Sequence, residues 1–318
     1  MVLMLPKTMV VAEVGPRDGL QSFPRWIDTD TKVRMIDLLS NLGLSVIEVS
    51  SFAHPKAVPH LRDAEVVFER IQRRRGTTYR ALVPNAHGAR RAAKARVDEM
   101  LGLITISATY TQKNQNMSIE QAIEQNLQAL RIAEASAIPF VMALGMAFWC
   151  AYEGLIPEER VIDVVRRLHR GGVRRFYLAG SLGMEDPAHV GRLFLRLGEL
   201  FPDAGFGFHV HNLSGMATAN ILAAVDAGVQ WLESAICGIG GGIAMPARLG
   251  SVGNFATEDL VTMLSEMGIG TGLDPDQTVA VSREIAALLD IEPKSHRANG
   301  ATRGSVAETA ATGSFVQS

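Results

Sequence analysis

The chain has few cysteines and little net charge, and each shortage excludes a class of protein. Its 318 residues include two cysteines, Cys150 and Cys237, which are too few for a disulfide framework and lack the paired spacing of a zinc knuckle. A formal net charge of -2 leaves no broad basic field for nucleic acid or anionic lipid. We therefore expect a reducing, cytoplasmic compartment and a small-molecule partner, with no nucleic acid.

Long hydrophobic runs are also missing. The apolar run over residues 137–151 is shorter than the ~20 residues that a membrane helix needs, and it contains Pro139. The first residues lack the basic region, apolar stretch and cleavage site of a signal peptide. We expect no targeting signal and no membrane partner. With 47% hydrophobic residues, the chain can instead bury a large core.

Short apolar runs alternate with longer amphipathic stretches, a pattern typical of a parallel sheet with helical crossovers. Eight runs predict strands over residues 9–14, 46–50, 79–83, 100–106, 140–144, 175–179, 207–211 and 231–236. Helices are predicted between them, among others over 30–42, 119–135, 158–169, 187–200 and 217–227. Eight alternations predict a closed (β/α)8 TIM barrel. An open doubly wound sheet is the alternative, but the first run is not followed by its G-x-G-x-x-G fingerprint.

The end of the chain is expected to add one helix to the barrel. Amphipathic stretches over 257–267 and 276–289 predict the last barrel helix and one extra C-terminal helix. Because no linker divides the chain, we expect one catalytic TIM-barrel domain over residues 1–302. Residues 303–318, rich in Ala, Thr, Gly and Ser, are expected to form a flexible C-terminal tail.

Polar side chains follow the first and seventh apolar runs, at the barrel end where active sites of this fold lie. Asp18 follows the first run. His209 and His211 end the seventh, and because they are two residues apart on a strand, their imidazoles share a face. Two imidazoles and one carboxylate predict a site for Mg2+, Mn2+ or Zn2+ with positions open to substrate oxygens. A hydrogen-bonded histidine pair without metal is the alternative.

Charged and glycine residues near these ligands predict a catalytic site. We expect Arg17 to stabilise an enolate or oxyanion. Glu48, within an apolar run, needs a partner, and Arg17 is the obvious one, although a purely structural ion pair remains an alternative. The glycine-rich stretch containing Gly241 and Gly242 predicts backbone that approaches a bound substrate. For Asn254, a helix cap is favoured over a metal ligand on these observations alone.

A longer motif connects these residues to a family. The string E-V-G-P-R-D-G-L-Q at residues 13–21 resembles the signature opening of 3-hydroxy-3-methylglutaryl-CoA (HMG-CoA) lyases, in the superfamily of metal-dependent aldolases and condensing enzymes. The likeness continues through residues 43–48, 152–154, 209–212 and 253–260, and it covers nearly the whole chain. The resemblance implies a TIM-barrel carbon-carbon lyase.

The resemblance also implies roles for the candidate residues. The metal ligands would be Asp18, His209, His211 and Asn254. They would hold a divalent cation, Mg2+ or Mn2+, with Zn2+ or Co2+ as further possibilities. Arg17 would stabilise an enolate, and Glu48 would support that arginine. The implied reaction is retro-aldol or retro-Claisen cleavage of a 3-hydroxy acyl-CoA or related hydroxy acid, and a homodimer is expected by analogy.

Three departures from the family pattern concern proton transfer and substrate recognition. Gly242 stands where the family has a loop cysteine, Gly180 stands where it has an aspartate, and the run over 140–144 lacks the polar and aromatic residues with which the family holds its substrate. His54, after the second run, is a candidate replacement acid or base, with an exposed loop histidine as the alternative. We expect Cys237 to be a buried, structural thiol.

Two other functions compete with the lyase. A condensing enzyme of the isopropylmalate synthase type would share the Arg-Asp and His-x-His elements, although the string G-P-R-D-G-L-Q indicates the lyase branch. A catalytically silent paralogue that keeps its metal is the second alternative. A purely structural metal would need neither Arg17 nor Glu48, which argues against it.

Overall fold

Eight parallel strands form a closed barrel. The structure is a computed structural model that describes residues 4–241 and 253–313. The barrel strands are β1 (Val10–Glu13), β2 (Val46–Ser51), β3 (Thr78–Leu82), β4 (Glu99–Thr105), β5 (Phe140–Gly145), β8 (Arg175–Gly180), β9 (Gly205–Val210) and β10 (Trp231–Ser234). Their order around the barrel is β1-β10-β9-β8-β5-β4-β3-β2, and two short strands, β6 (Trp149–Cys150) and β7 (Gly154–Leu155), form a separate antiparallel hairpin. Each of the eight predicted runs coincides with a barrel strand, so the predicted TIM barrel is confirmed.

Helices cover the outside of the barrel. Those up to the last strand are α1 (Thr29–Asn41), α2 (Ala64–Arg70), α3 (Ala86–Lys94), α4 (Ala108–Gln115), α5 (Ile119–Ala135), α6 (Glu158–Arg170), α7 (Pro187–Leu200) and α8 (Ala217–Asp226). Those after it are α9 (Thr257–Glu266), α10 (Pro275–Leu289), α11 (His296–Asn299) and α12 (Arg303–Thr312). None of the helices in the described part of the chain has both the length and the apolar character needed to cross a bilayer.

Side-chain capping sets where several helices begin. Asp28 accepts a hydrogen bond from the Thr31 amide at 2.9 Å and starts α1. Ser118 and Gln121 form a capping box at the start of α5. The helices therefore begin close to the positions that their amphipathic patterns predict.

The core has two layers that follow from strand alternation. One face of the strands packs against the helices, and the other fills the barrel lumen. The lumen cluster contains Ala12, Val46, Leu82, Leu101, Val141, Ala143, Tyr177, Ala179 and Trp231. Because Tyr177 and Ala179 both face the lumen, residues at the C-terminal end of β8 can reach the active-site end of the barrel.

The C-terminal region is more helical than the sequence pattern predicts. Helix α9 closes the barrel, and α10 is the predicted extra helix. Two short helices, α11 and α12, follow it and were not predicted. Helix α12 buries no residue, and its Ala- and Thr-rich sequence has no amphipathic period, which explains why the pattern did not reveal it. The domain boundary at 302 and the flexible tail remain predictions.

Candidate active site

A tight turn after β1 places Arg17 and Asp18 over the barrel lumen. Residues Gly15–Gly19 form one π-helical turn with proline near its start. The carboxylate of Glu13 accepts hydrogen bonds from the amides of Gly15 at 2.7 Å and Ile236 at 2.9 Å, and so ties the end of β1 to the end of β10. Burial raises the pKa of Glu13 to about 7, although these bonds oppose the shift. Sequence analysis missed this role of Glu13.

Three buried side chains converge above the lumen. The candidate ligand atoms of Asp18, His209 and His211 all lie within 4.8 Å of one another. The two imidazole Nε2 atoms are 3.0 Å apart, and Nε2 of His211 lies 3.7 Å from Oδ2 of Asp18. The pairing of β9 with β8 and β10 fixes the backbone of His209, and a single bridge to Asn254 fixes that of His211, one residue beyond the strand. The fold therefore brings together the three residues that the sequence predicted as a cluster.

The other nitrogen of each imidazole has its own partner. Nδ1 of His209 lies 3.2 Å from Oε2 of Glu233, and Nδ1 of His211 lies 3.0 Å from the carbonyl oxygen of Ser181. When Nδ1 carries the proton and donates it to such an acceptor, the lone pair of Nε2 is free for a metal ion. Glu233 is in turn held by Arg80, whose Nη1 lies 2.6 Å from Oε1.

The surroundings shift the pKa values of the two histidines in opposite directions. Burial opposes a charged His209, but the bond to Glu233 and the charge of Asp18 raise its pKa above the usual value. Burial lowers the pKa of His211, and the charge of His209 lowers it further. A neutral His211 with an available Nε2 is the form that ligates a metal.

Asn254 supplies a fourth group. Its Nδ2 donates to Oδ2 of Asp18 at 2.8 Å and to the carbonyl oxygen of Ile239 at 3.0 Å. Its Oδ1 is buried and has no hydrogen-bond partner among the described residues. An orphaned, buried amide oxygen beside a carboxylate and two imidazoles fits a divalent cation. The helix-cap interpretation is wrong, since α9 begins after Ala256.

Arg17 bridges two carboxylates at the same site. Its Nε donates to Oε1 of Glu48, and its Nη1 donates to Oδ1 of Asp18 at 2.9 Å. All three residues are buried. Burial favours the neutral form of Asp18, but the charges of Arg17 and His209 hold its pKa well below the usual range. Asp18 is therefore an anion at neutral pH.

A cavity of about 280 Å³ opens beside these groups. It is lined by Arg17, Asp18, His209 and His211 together with polar residues that sequence analysis missed, among them Gln21, Thr105, Tyr110, Tyr177 and Ser181. The ring of Tyr177 stacks on that of His209, with centroids 5.6 Å apart and planes at 20°. Burial raises the pKa of Tyr177 well above its usual value, so its hydroxyl keeps its proton. The sequence offered one signal for Tyr177: it lies two residues before Ala179, in the predicted strand 175–179, and alternate residues of a strand share a face.

Four further residues were singled out in the sequence: His54, Gly241, Gly242 and Cys237. His54 is exposed, its Nδ1 accepts from the Lys56 amide at 3.2 Å, and it does not line the cavity. Its role as acid or base stays a prediction, without geometric support. Gly241 lies at the end of the described segment after β10, and Gly242 falls outside the described residues. Burial raises the pKa of Cys237 to about 12, as suits an inert thiol.

Gly240 provides a direct test of the site geometry. Its φ is 138°, and a Cβ there would lie 2.2 Å from Nδ2 of Asn254. We expect Gly240→Ala to displace Asn254 and weaken Mn2+ binding by about tenfold or more, as measured by electron paramagnetic resonance.

Gly43→Ala is the matched control, because Gly43 has a φ of 84° and a Cβ built on it would have no neighbour within 4 Å. The control is expected to lose about 1–2 kcal/mol of stability and keep its Mn2+ affinity. Equal Mn2+ affinity in the two variants would remove Asn254 from the ligand set.

The fold and the site define a TIM barrel with a candidate site for a divalent metal beside a buried arginine. Residues 8–285 match the model of the family described as HMGL-like. The chain belongs to that family. The predicted resemblance is thereby confirmed, and relatives that are carbon-carbon lyases confirm the predicted enzyme class.

Named relatives agree with this membership. The chain is 36% identical over 280 residues to the hydroxymethylglutaryl-CoA lyase of Bacillus subtilis, covering 88% of this chain and 93% of the relative. The mitochondrial hydroxymethylglutaryl-CoA lyase of Mus musculus is 36% identical over 270 residues, covering 85% and 82%. A solved structure of an HMG-CoA lyase from Acinetobacter baumannii, in complex with coenzyme A and 3-methylmalate, matches with a TM-score of 0.88 and 36% identity, covering 93% of this chain and 96% of that one.

Proposed function

We propose that this protein cleaves HMG-CoA, or a closely related 3-hydroxy acyl-CoA, into acetyl-CoA and a keto acid. The observation that carries the proposal is the convergence of Asp18, His209 and His211 within 4.8 Å beside the buried guanidinium of Arg17. We propose that these three residues and Asn254 hold Mg2+ or Mn2+. Carboxylate, amide and imidazole donors suit such cations, although Zn2+ and Co2+ would also fit.

The chemistry divides between the cation and the side chains. When bound, the cation supplies a Lewis acid for the substrate oxygens. Arg17 places a permanent positive charge where an enolate oxygen develops, and Glu48 and Asp18 hold the guanidinium in one orientation. The hydroxyl of Tyr177, at the cavity wall, can donate a hydrogen bond to a substrate oxygen. We propose Arg17 as the catalytic residue and Glu48 as a positioning residue.

We further propose that the coenzyme A portion lies towards a second cavity. A cavity of about 460 Å³ is lined by Gly19 and Gly240, on the side of the site formed by the glycine-rich segment. Its lining also includes the cationic side chains of Arg25 and Lys294, which suit phosphate groups, together with the carboxylates of Asp290 and Glu292. The related lyase of known structure was solved in complex with coenzyme A and 3-methylmalate, which supports a binding place for the coenzyme A portion. We propose that the backbone of Gly241 approaches the thioester, and Gly242, outside the described residues, stays a candidate for substrate binding.

The decisive experiment follows release of acetyl-CoA from HMG-CoA by the purified protein loaded with Mg2+ or Mn2+. We expect metal-dependent turnover that is abolished by Asp18→Ala and unchanged by Asp30→Ala, whose carboxylate is exposed on α1. Turnover that survives metal removal or Asp18→Ala would refute the proposal. If the protein binds metal but leaves HMG-CoA intact, other 3-hydroxy acyl-CoAs become the substrates to screen. Acetyl-CoA offered with 2-oxo acids tests the condensing alternative.

Three further proposals concern the whole protein. We propose a homodimer, which light scattering would test. We propose a cytoplasmic compartment on the basis of two free, buried cysteines and no disulfide among the described residues. We also keep residues 1–302 as the catalytic domain, so that removal of residues 303–318 should leave turnover intact.

A further inference from the structure

Glu233, on β10, connects the barrel lumen to a candidate metal ligand. It pairs in register with His209 on β9, and neighbours in register on parallel strands point to the same side of the sheet. Its side chain is fully buried, and Oε2 lies 3.2 Å from Nδ1 of His209. Glu233 therefore touches the ligand directly, on the face of the strands that carries the imidazole.

Two donors occupy the other oxygen of this carboxylate. Nη1 of Arg80, on β3, donates to Oε1 of Glu233 at 2.6 Å, and Nε1 of Trp231 donates to the same oxygen at 3.2 Å. With Oε1 engaged by these donors, Oε2 is the oxygen that faces His209. Because a carboxylate with both oxygens engaged cannot turn freely, Arg80 and Trp231 determine how Glu233 meets the imidazole.

Arg80 is itself held in one orientation. It is fully buried and pairs in register with Glu99 on β4, and its Nε donates to Oε1 of Glu99 at 2.7 Å. Arg175, at the start of β8, donates to the other oxygen of Glu99. A guanidinium is planar and presents its donors in a rigid fork, so carboxylates on two different strands fix its plane. The position of Glu233 thus depends on ion pairs that cross the barrel lumen.

The indole of Trp231 needs the space beside a glycine. Gly207 pairs in register with Trp231 and lies two residues before His209 on β9. A Cβ on Gly207 would lie 2.3 Å from Nε1 and 2.1 Å from Cε2 of Trp231. Gly207 does not have a positive φ, so its backbone conformation would accept any residue. The glycine is therefore required by the indole that reaches Glu233.

We propose that Arg80 and Trp231 are positioning residues for the metal site, which act by fixing Glu233 against Nδ1 of His209. The inference rests on the metal of the proposed function, and it does not depend on which substrate is cleaved. A carboxylate that holds the outer nitrogen of a ligating imidazole sets the orientation of the ring and the nitrogen that faces the metal. In a purely structural role the two side chains would only fill and neutralise the lumen, and metal affinity would not depend on them.

The test is a titration of the metal-free, full-length protein with Mn2+, followed by electron paramagnetic resonance. Arg80→Met is expected to weaken Mn2+ binding by about 10-fold or more. Lys32→Met, on α1, is the matched control, because it also removes a buried cation from a carboxylate, that of Asp63 at 2.7 Å. Both variants should lose stability in thermal denaturation, but the control should keep its Mn2+ affinity.

Trp231→Phe repeats the test without leaving a buried charge unpaired. It keeps an aromatic ring and removes the Nε1 donor, so Mn2+ binding should weaken by about threefold or more, the size of one net hydrogen bond. Trp149→Phe is the matched control, because Nε1 of Trp149 is buried and has no hydrogen-bond partner among the described residues. If Arg80→Met does not fold, this pair of variants decides the proposal.

A double-mutant cycle shows whether Arg80 acts through Glu233. Glu233→Gln alone should weaken Mn2+ binding by about 10-fold or more, and Arg80→Met should add little to that loss in the same chain. Losses that add in full would overturn the action through Glu233, and unchanged Mn2+ binding in a folded Arg80→Met or in Trp231→Phe would overturn the role of that residue. An unmodified protein that binds no Mn2+ would refute the proposed metal site as well. Since no turnover is needed, a protein inactive on HMG-CoA still reports on Arg80 and Trp231.

Discussion

Asp18→Asn is expected to lower both Mn2+ affinity and turnover by more than about 100-fold, because the loss of the one anionic ligand should exceed the 10–100-fold typical of a residue that acts through the ligands. The carboxylate of Asp18 meets Nε2 of His211 at 3.7 Å and Nη1 of Arg17 at 2.9 Å. An amide keeps the shape of the side chain and still carries an oxygen, but it removes the negative charge that attracts the cation, and its nitrogen cannot ligate a metal. Mn2+ titration and the acetyl-CoA assay measure the two losses.

The ionised state of Asp18 at neutral pH predicts that this variant is less stable than the unmodified protein. The folded-state pKa of Asp18 is depressed, so its ionised form contributes stability that is present above the unfolded pKa and lost as pH falls through the folded value. Unfolding by urea at neutral pH should therefore reveal a lower free energy of unfolding for Asp18→Asn than for the control Asp30→Asn. Mn2+ binding that persists in Asp18→Asn would show that the cation is held without the Asp18 carboxylate.

Arg17→Met is expected to separate catalysis from metal binding. Without its guanidinium, the site keeps every proposed ligand, but the enolate oxygen loses its positive partner, and kcat should fall by about 10²–10³-fold. Mn2+ affinity should be retained, because the removed group is itself a cation. Steady-state kinetics at saturating Mn2+ measure the loss, and Arg34→Met, which breaks only an exposed ion pair with Glu284, is the control.

The same change tests whether the Arg17 ion pairs are structural. Removing Arg17 leaves Glu48 buried without its partner, which costs about 3–5 kcal/mol of stability. The double variant Arg17→Met with Glu48→Gln should recover part of that stability and none of the activity. Recovery of turnover in the double variant would support the alternative of a purely structural ion pair.

Much of the fold could be predicted because its pattern is local. Parallel strands buried on both faces produce continuous apolar runs, and each run in this chain became a barrel strand. Strand ends differ from the prediction by one or two residues, as with β9, which begins at Gly205 instead of 207. The β6–β7 hairpin and the helices α11 and α12 were missed because two-residue strands and short helices carry too few residues to show a period.

The site was predictable where chemistry follows a strand end and not where it depends on a distant segment. The pair His209 and His211 is recognisable from spacing alone, since alternate residues share a face of a strand. Asn254 was favoured as a cap until the family resemblance, because only the fold brings its amide against Asp18, 236 positions away in the chain. His54 was a candidate by proximity in sequence, and its loop leaves it exposed.

The sequence by itself determined that eight strands alternate with helices, that a carboxylate and two imidazoles follow strands, and that the chain resembles one family. These properties follow from periodicity and short motifs, which are local features of the sequence and can be recognised without knowing any long-range contact. The tertiary structure decided which groups meet: the orphaned oxygen of Asn254, the stacking of Tyr177 on His209 and the indole of Trp231 in the space beside Gly207. Those contacts depend on strand register and side-chain direction, because barrel closure joins segments that lie far apart in the chain.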